Sequence, residues 1–78
     1  MSDIKSAVIF LDDDMPEYML GVIRIAEVKF YDEYGNEVED TKLSDGFVNI
    51  ESQEDNPEKL IKVVANELNL NLDDVEIN

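Results

Sequence analysis

The run Asn56-Pro57-Glu58-Lys59-Leu60-Ile61-Lys62-Val63-Val64-Ala65-Asn66-Glu67-Leu68 decides the fold. Asn56 is a natural helix N-cap, Pro57 suits the first helical position, where no N–H is needed, and Glu58 favours the positive end of the helix dipole. Leu60, Val64 and Leu68 recur at i, i+4 and i+8 with Ile61 and Ala65 beside them, while Lys59, Lys62, Asn66 and Glu67 fall outside that stripe. One apolar stripe predicts one helix, over residues 57–68, with a single buried side. After it, Leu70, Leu72, Val75 and Ile77 alternate as a short closing strand would.

Upstream, the periodicity shortens to that of strands. Ile4 to Leu11 holds Val8, Ile9, Phe10 and Leu11 in succession, apolar on both faces, which predicts a central strand covered on at least one side and ended by Asp12-Asp13-Asp14. Met15-Pro16-Glu17 reads as a turn, or as a short helical turn capped by Asp14. Tyr18 to Tyr31 is the longest apolar stretch. Gly21 and the density of Val22, Ile23, Ile25 and Val28 favour strand there, because β-branched side chains lose χ1 freedom in a helix. The alternation slips once, since Ile23 and Ile25 share one parity and Val28 and Phe30 the other. Either a bulge near Ala26-Glu27 or a break between two strands accounts for that.

Asp32-Glu33-Tyr34-Gly35-Asn36-Glu37 carries a hairpin signal, with Gly35 free to take positive φ. A strand from Val38 to Leu43, a turn at Ser44-Asp45-Gly46 and a further strand from Phe47 to Glu51 are expected next. The predicted architecture is α+β: a small, mostly antiparallel sheet of about four or five strands with one C-terminal helix packed on one face. Residues 1–78 read as a single acidic domain, within the roughly 50–250 residues of a typical one. Leu, Ile, Val and Phe make up 25 of 78 residues, about 32%, well above the roughly 20% below which a highly charged chain stays disordered. The core is small, because a chain of this size buries only about 60% of its unfolded surface.

The stretch Arg24 to Asp32 followed by Gly35-Asn36 resembles a strand-and-hairpin idiom of discoidin-like β-sandwiches. The likeness is confined to that stretch and assigns no family.

Composition excludes much chemistry. The chain has no histidine and no cysteine, so it lacks the usual neutral-pH base, the usual thiol nucleophile, disulfides and structural zinc of the Cys/His kind. Its three glycines form no phosphate-binding loop. An EF-hand beginning at Asp32 fails, with Tyr34 third and Glu37 sixth. Ser44-Asp45-Gly46 invites comparison with a carrier-protein prosthetic site, which needs a serine at a helix start; a turn explains it better. No enzyme, cofactor or metal is expected. A membrane span needs about 20 mostly apolar residues, and Met15 to Ile25 is already broken by Glu17 and Arg24. The opening Met1-Ser2-Asp3-Ile4-Lys5 is unlike a signal peptide, so a cytoplasmic setting without membrane contact is expected.

The remaining feature is charge. Twenty carboxylates stand against six basic residues, a net charge of −14. Residues 1–40 hold 11 acidic and 3 basic groups and residues 41–78 hold 9 and 3, so neither half is a mere acidic tail. Solubility alone asks for a magnitude of about 2–8 in a small domain. Direct nucleic-acid binding is excluded by repulsion from phosphates. A basic protein surface is the natural partner, and basic surfaces are common on proteins that handle nucleic acid.

In charge and size the chain is similar to nucleic-acid-mimic inhibitors, including phage-encoded antagonists of host defence nucleases, which present carboxylates where phosphates would lie. That similarity implies a non-enzymatic inhibitor of a basic, nucleic-acid-processing partner. The candidate binding residues are Asp12, Asp13, Asp14, Glu33, Glu37, Glu39 and Asp40, all at predicted turns or strand edges. The competing expectation is a structural or assembly module, monomer or homodimer, that docks through an apolar sheet edge or through Tyr18, Met19 and Leu20. Its acidity would then serve solubility alone.

Overall fold

The structure, a computed structural model, describes residues 4–12 and 21–78. Asp13, Asp14, the turn expected at Met15-Pro16-Glu17, the start of the strand expected from Tyr18, and the apolar group Tyr18, Met19 and Leu20 lie outside the described residues. The fold is α+β, a five-stranded mixed sheet with two helices.

Strand β1, Ser6–Leu11, is central, as its two apolar faces require. It pairs antiparallel with β2, Val22–Tyr31, and parallel with the closing strand β5, Val75–Ile77. β2 is the longest strand, and its parity slip is a bulge. Phe10 lies opposite Glu27 but Leu11 lies opposite Ile25, so Ala26 is the extra residue. Ala26 and Glu27 are both exposed while Ile25 and Val28 are both buried. The bulge therefore lets one ten-residue strand send apolar side chains to the same side throughout.

The hairpin forms as expected. Gly35 has φ +82° and donates its N–H to the Asp32 carbonyl at 3.1 Å. Asp32 Oδ1 accepts the N–H groups of Tyr34 and Asn36 at 2.9 and 3.0 Å. The carboxylate of Asp32 thus holds the turn.

Beyond the hairpin the structure departs from the sequence reading. β3 is only Glu37–Val38, and the strand expected from Val38 to Leu43 and the turn at Ser44-Asp45-Gly46 are replaced by helix α1, Thr41–Phe47. The strand expected from Phe47 begins later, as β4, Glu51–Gln53. Asp40 causes the change: its Oδ1 accepts the Leu43 N–H at 3.0 Å and caps the helix. Leu43 and Phe47, four apart, then point the same way. Phe47 is buried with its ring centroid 6.3 Å from that of Phe30.

β3 and β4 lie along the same edge of β2, at its two ends. Between the two ladders β2 contributes five residues, Ile25 to Lys29, whereas the facing chain contributes twelve, Glu39 to Ile50. The surplus of seven equals the length of α1. β3 and β4 are in effect one edge strand interrupted by a helical excursion that lifts Leu43 and Phe47 over the sheet. Where the ladder is interrupted, Ser44 Oγ accepts the Val28 N–H at 3.3 Å and stands in for the missing strand.

The C-terminal helix α2, Glu58–Leu68, matches the expected span to one residue. Asn56 does not cap it through its side chain; its carbonyl accepts from Lys59 N–H and from Ser52 Oγ, and Pro57 already has helical angles. Asn69 closes the helix at φ 56°, ψ 40°, with the Leu70 N–H returning to the Ala65 carbonyl at 2.9 Å. Leu72 belongs to a 3₁₀ turn, Leu72–Asp74, not to the closing strand, and is 51% exposed.

Both helices bury their apolar sides on one face of the sheet. The core comprises Ala7, Ile9, Ile25, Val28, Phe30 and Val75 from the strands with Phe47, Leu60, Val64 and Ala65 from the helices.

Candidate functional site

Strand register sorts the candidate carboxylates into two places. Asp12 follows β1 at the end where Leu11 meets Ile25, whereas Glu33, Glu37, Glu39 and Asp40 follow β2 at its other end, beyond Tyr31. Arg24 and Tyr31 are seven residues apart along β2, roughly 20 Å at strand rise. Asp12 therefore cannot join the others in one patch. It makes a 2.6 Å ion pair with Arg24 Nη2, both side chains about a quarter exposed. Its N–H also donates to the Arg24 carbonyl at 2.9 Å. Arg24 Nε is buried there with no hydrogen-bond partner among the described residues.

The other four gather around the hairpin and the start of α1. Glu33 is exposed in the turn, Glu37 is exposed in β3, Glu39 is exposed in the link to α1, and Asp40 caps that helix. From Asp32 to Asp40 the chain carries five carboxylates and no basic residue. Glu37, Glu39 and Asp40 border a shallow groove of about 140 Å³ at the interrupted edge, together with Glu27, Lys29, Thr41 and Ser44. Its apolar walls are Val28, Phe30 and Val38.

Glu27 was not among the sequence candidates, because its place depends on the bulge. Had the strand kept one parity, Glu27 would sit on the side of Ile23 and Ile25; the extra residue turns it outward, into register with Phe10.

The face of the sheet opposite the helices follows from the same register. Ser6, Val8 and Phe10 of β1 lie across from Tyr31, Lys29 and Glu27, with Glu37 beyond Tyr31 and Glu76 beside Val8. Lys29 is the cation in the middle of this face. Its Nζ is 3.9 Å from Glu37 Oε1 and 5.4 Å from the Phe10 ring centroid. Charge is thus mixed on this face, as it is on α2, whose exposed charges are Glu58, Lys59, Lys62 and Glu67. The hairpin is denser in acid, with five carboxylates in the nine residues Asp32 to Asp40, and Lys29 of β2 meets it at Glu37.

At its tip stands Tyr34, 80% exposed, the most exposed large apolar side chain among the described residues. Two Asp32-anchored hydrogen bonds fix the backbone on either side of it. Tyr34 carries no periodic signal in the sequence, because it stands in a turn between Glu33 and Gly35.

Among the described residues, no group of three or more carboxylates is close enough to hold a metal ion. No helix among them is long and apolar enough to cross a membrane. Compared with protein-family models, curated proteins and solved structures, the chain matches none of them.

Proposed function

We propose that this protein is a non-enzymatic acidic interaction protein that binds and inhibits a basic, nucleic-acid-processing partner through its hairpin end, in the manner of a nucleic-acid mimic. The observation that carries the reading is the five carboxylates from Asp32 to Asp40, met by Lys29 at Glu37 alone, on a turn held by Asp32 with Tyr34 exposed at its tip. Carboxylates on a fixed hairpin steer a cationic surface without a large ordering cost on binding. A tyrosine among them supplies apolar contact with two rotatable angles. The phage-type anti-defence role and a cytoplasmic setting belong to this proposal and rest on composition.

The test is capture from a host-like lysate with elution by a salt gradient. The expected partner processes DNA or RNA, elutes early with salt and is displaced by duplex DNA. The E33Q/E37Q/E39Q variant should lose it. Asp32 and Asp40 are left intact in that variant because they hold the turn and cap α1. A partner that resists salt and binds the variant equally well defeats the proposal and favours the assembly reading.

A further inference from the structure

We propose that two copies of this chain associate by inserting Leu72 of one into the apolar section, beside Phe47, of the groove between α1 and α2 of the other. The groove has two adjoining sections that share Leu43 and Glu67. The apolar one is formed with Phe47, Ile50 and Val63 at about 300 Å³, and the more polar one with Ile4, Lys5, Leu68, Asn69 and Leu70 at about 410 Å³. Leu43, Ile50, Val63, Leu68 and Leu70 are each only partly buried there.

The charges at its rim are Lys42, Lys5 and Glu67. On a chain of −14 that rim holds, among the described residues, two of the six basic residues against one acid, a local reversal of the overall sign. Such a groove fits an apolar side chain with carboxylates next to it. The chain displays one: Leu72 is 51% exposed and is followed by the exposed Asp73 and by Asp74, whose Oδ2 accepts the Asn71 N–H within the 3₁₀ turn. Leu72 lies beside Lys62, Asn66 and Asn69 and lines neither section of the groove, so it does not fill that of its own copy.

Two −14 surfaces repel over distances beyond the contact, so association gains from screening: the Debye length falls from about 8 Å at 0.15 M salt to about 3 Å at 1 M. This inference is independent of the proposed function, whose complex weakens as salt rises.

Sedimentation equilibrium of the whole chain over a range of protein and salt concentrations tests it. The expected result is an average mass rising from 8.9 kDa toward twice that value with concentration, and more steeply in high salt. L72D and K42E should each weaken association at least tenfold. K59E, which changes net charge by the same amount on the exposed side of α2, should behave like the parent apart from a small loss at low salt. Circular dichroism and thermal melts confirm that the variants fold. A monomer under all conditions overturns the inference, as does association that L72D and K42E leave intact or that salt dissolves.

Discussion

Asp40 is both a candidate contact and the cap of α1, and two substitutions separate the roles. Its Oδ1 accepts the Leu43 N–H at 3.0 Å on a helix of only seven residues. Replacing an acidic cap by alanine costs about 1 kcal/mol, within a range of roughly 0.5–2. The position is exposed, so the charge itself adds little, and the cost is that of an unmet backbone donor. Asparagine caps about as well as aspartate.

Asp40→Ala is therefore expected to lower stability by about 1 kcal/mol, a drop in Tm of roughly 4–8 °C for a domain of this size, while Asp40→Asn stays near the parent. Urea titration followed by circular dichroism measures the first. Amide exchange locates it, with faster exchange expected at Leu43 to Phe47 and at Val28, whose N–H depends on Ser44 in the same helix. Equal stability of parent and Asp40→Ala, or a loss in Asp40→Asn as large as in Asp40→Ala, refutes the capping argument and with it the account of why α1 replaces a strand.

Phe47→Ala removes a buried ring that packs against Phe30 and should cost about 3–5 kcal/mol, enough to leave a 78-residue domain partly unfolded in a thermal melt. The two glycines flanking this region should respond in opposite directions. Gly35→Ala loses about 1 kcal/mol because φ there is +82° although the space is open. Gly46→Ala, inside α1 with nothing within 4 Å, gains about 0.5–1 kcal/mol. Denaturant midpoints of the two variants decide both. The quadruple variant E27Q/E33Q/E37Q/E39Q brings the net charge from −14 to −10. It should melt at a higher temperature than the parent in low salt, with the gap closing as salt is added; a gap unaffected by salt would deny that repulsion among these carboxylates outweighs the Lys29–Glu37 pair.

The legibility of this chain varies along its length for physical reasons. α2 was readable because propensity, termini and a 3.6-residue stripe all agree over Asn56 to Leu68. The hairpin was readable because Gly35 needs a conformation few residues adopt. The bulge was visible as a change of parity, although only the pairing with β1 distinguishes it from a break. α1 was misread as strand and turn because Val38, Phe47, Val48 and Ile50 favour β structure, and seven residues are too few for a helical period to outvote them. One signal pointed the right way: Asp40 three residues before Leu43, with Phe47 four beyond. Val63, outside the predicted stripe of α2, became intelligible only once α1 was there to meet it. Of the candidate site, the hairpin carboxylates come together as adjacency in the chain implies, and Asp12 does not, because an antiparallel partner runs the other way.

The amino-acid sequence by itself determined the fold class, the C-terminal helix, the hairpin and a charge that repels nucleic acid, since each depends on composition or on neighbours within a few residues. Tertiary structure alone decided that β3 and β4 share one edge interrupted by a helix, that Glu27 turns outward, and that Asp12 stands apart from the other candidates. Those outcomes depend on strand register, which is set by the burial of residues far apart in the chain and leaves no mark in any local window.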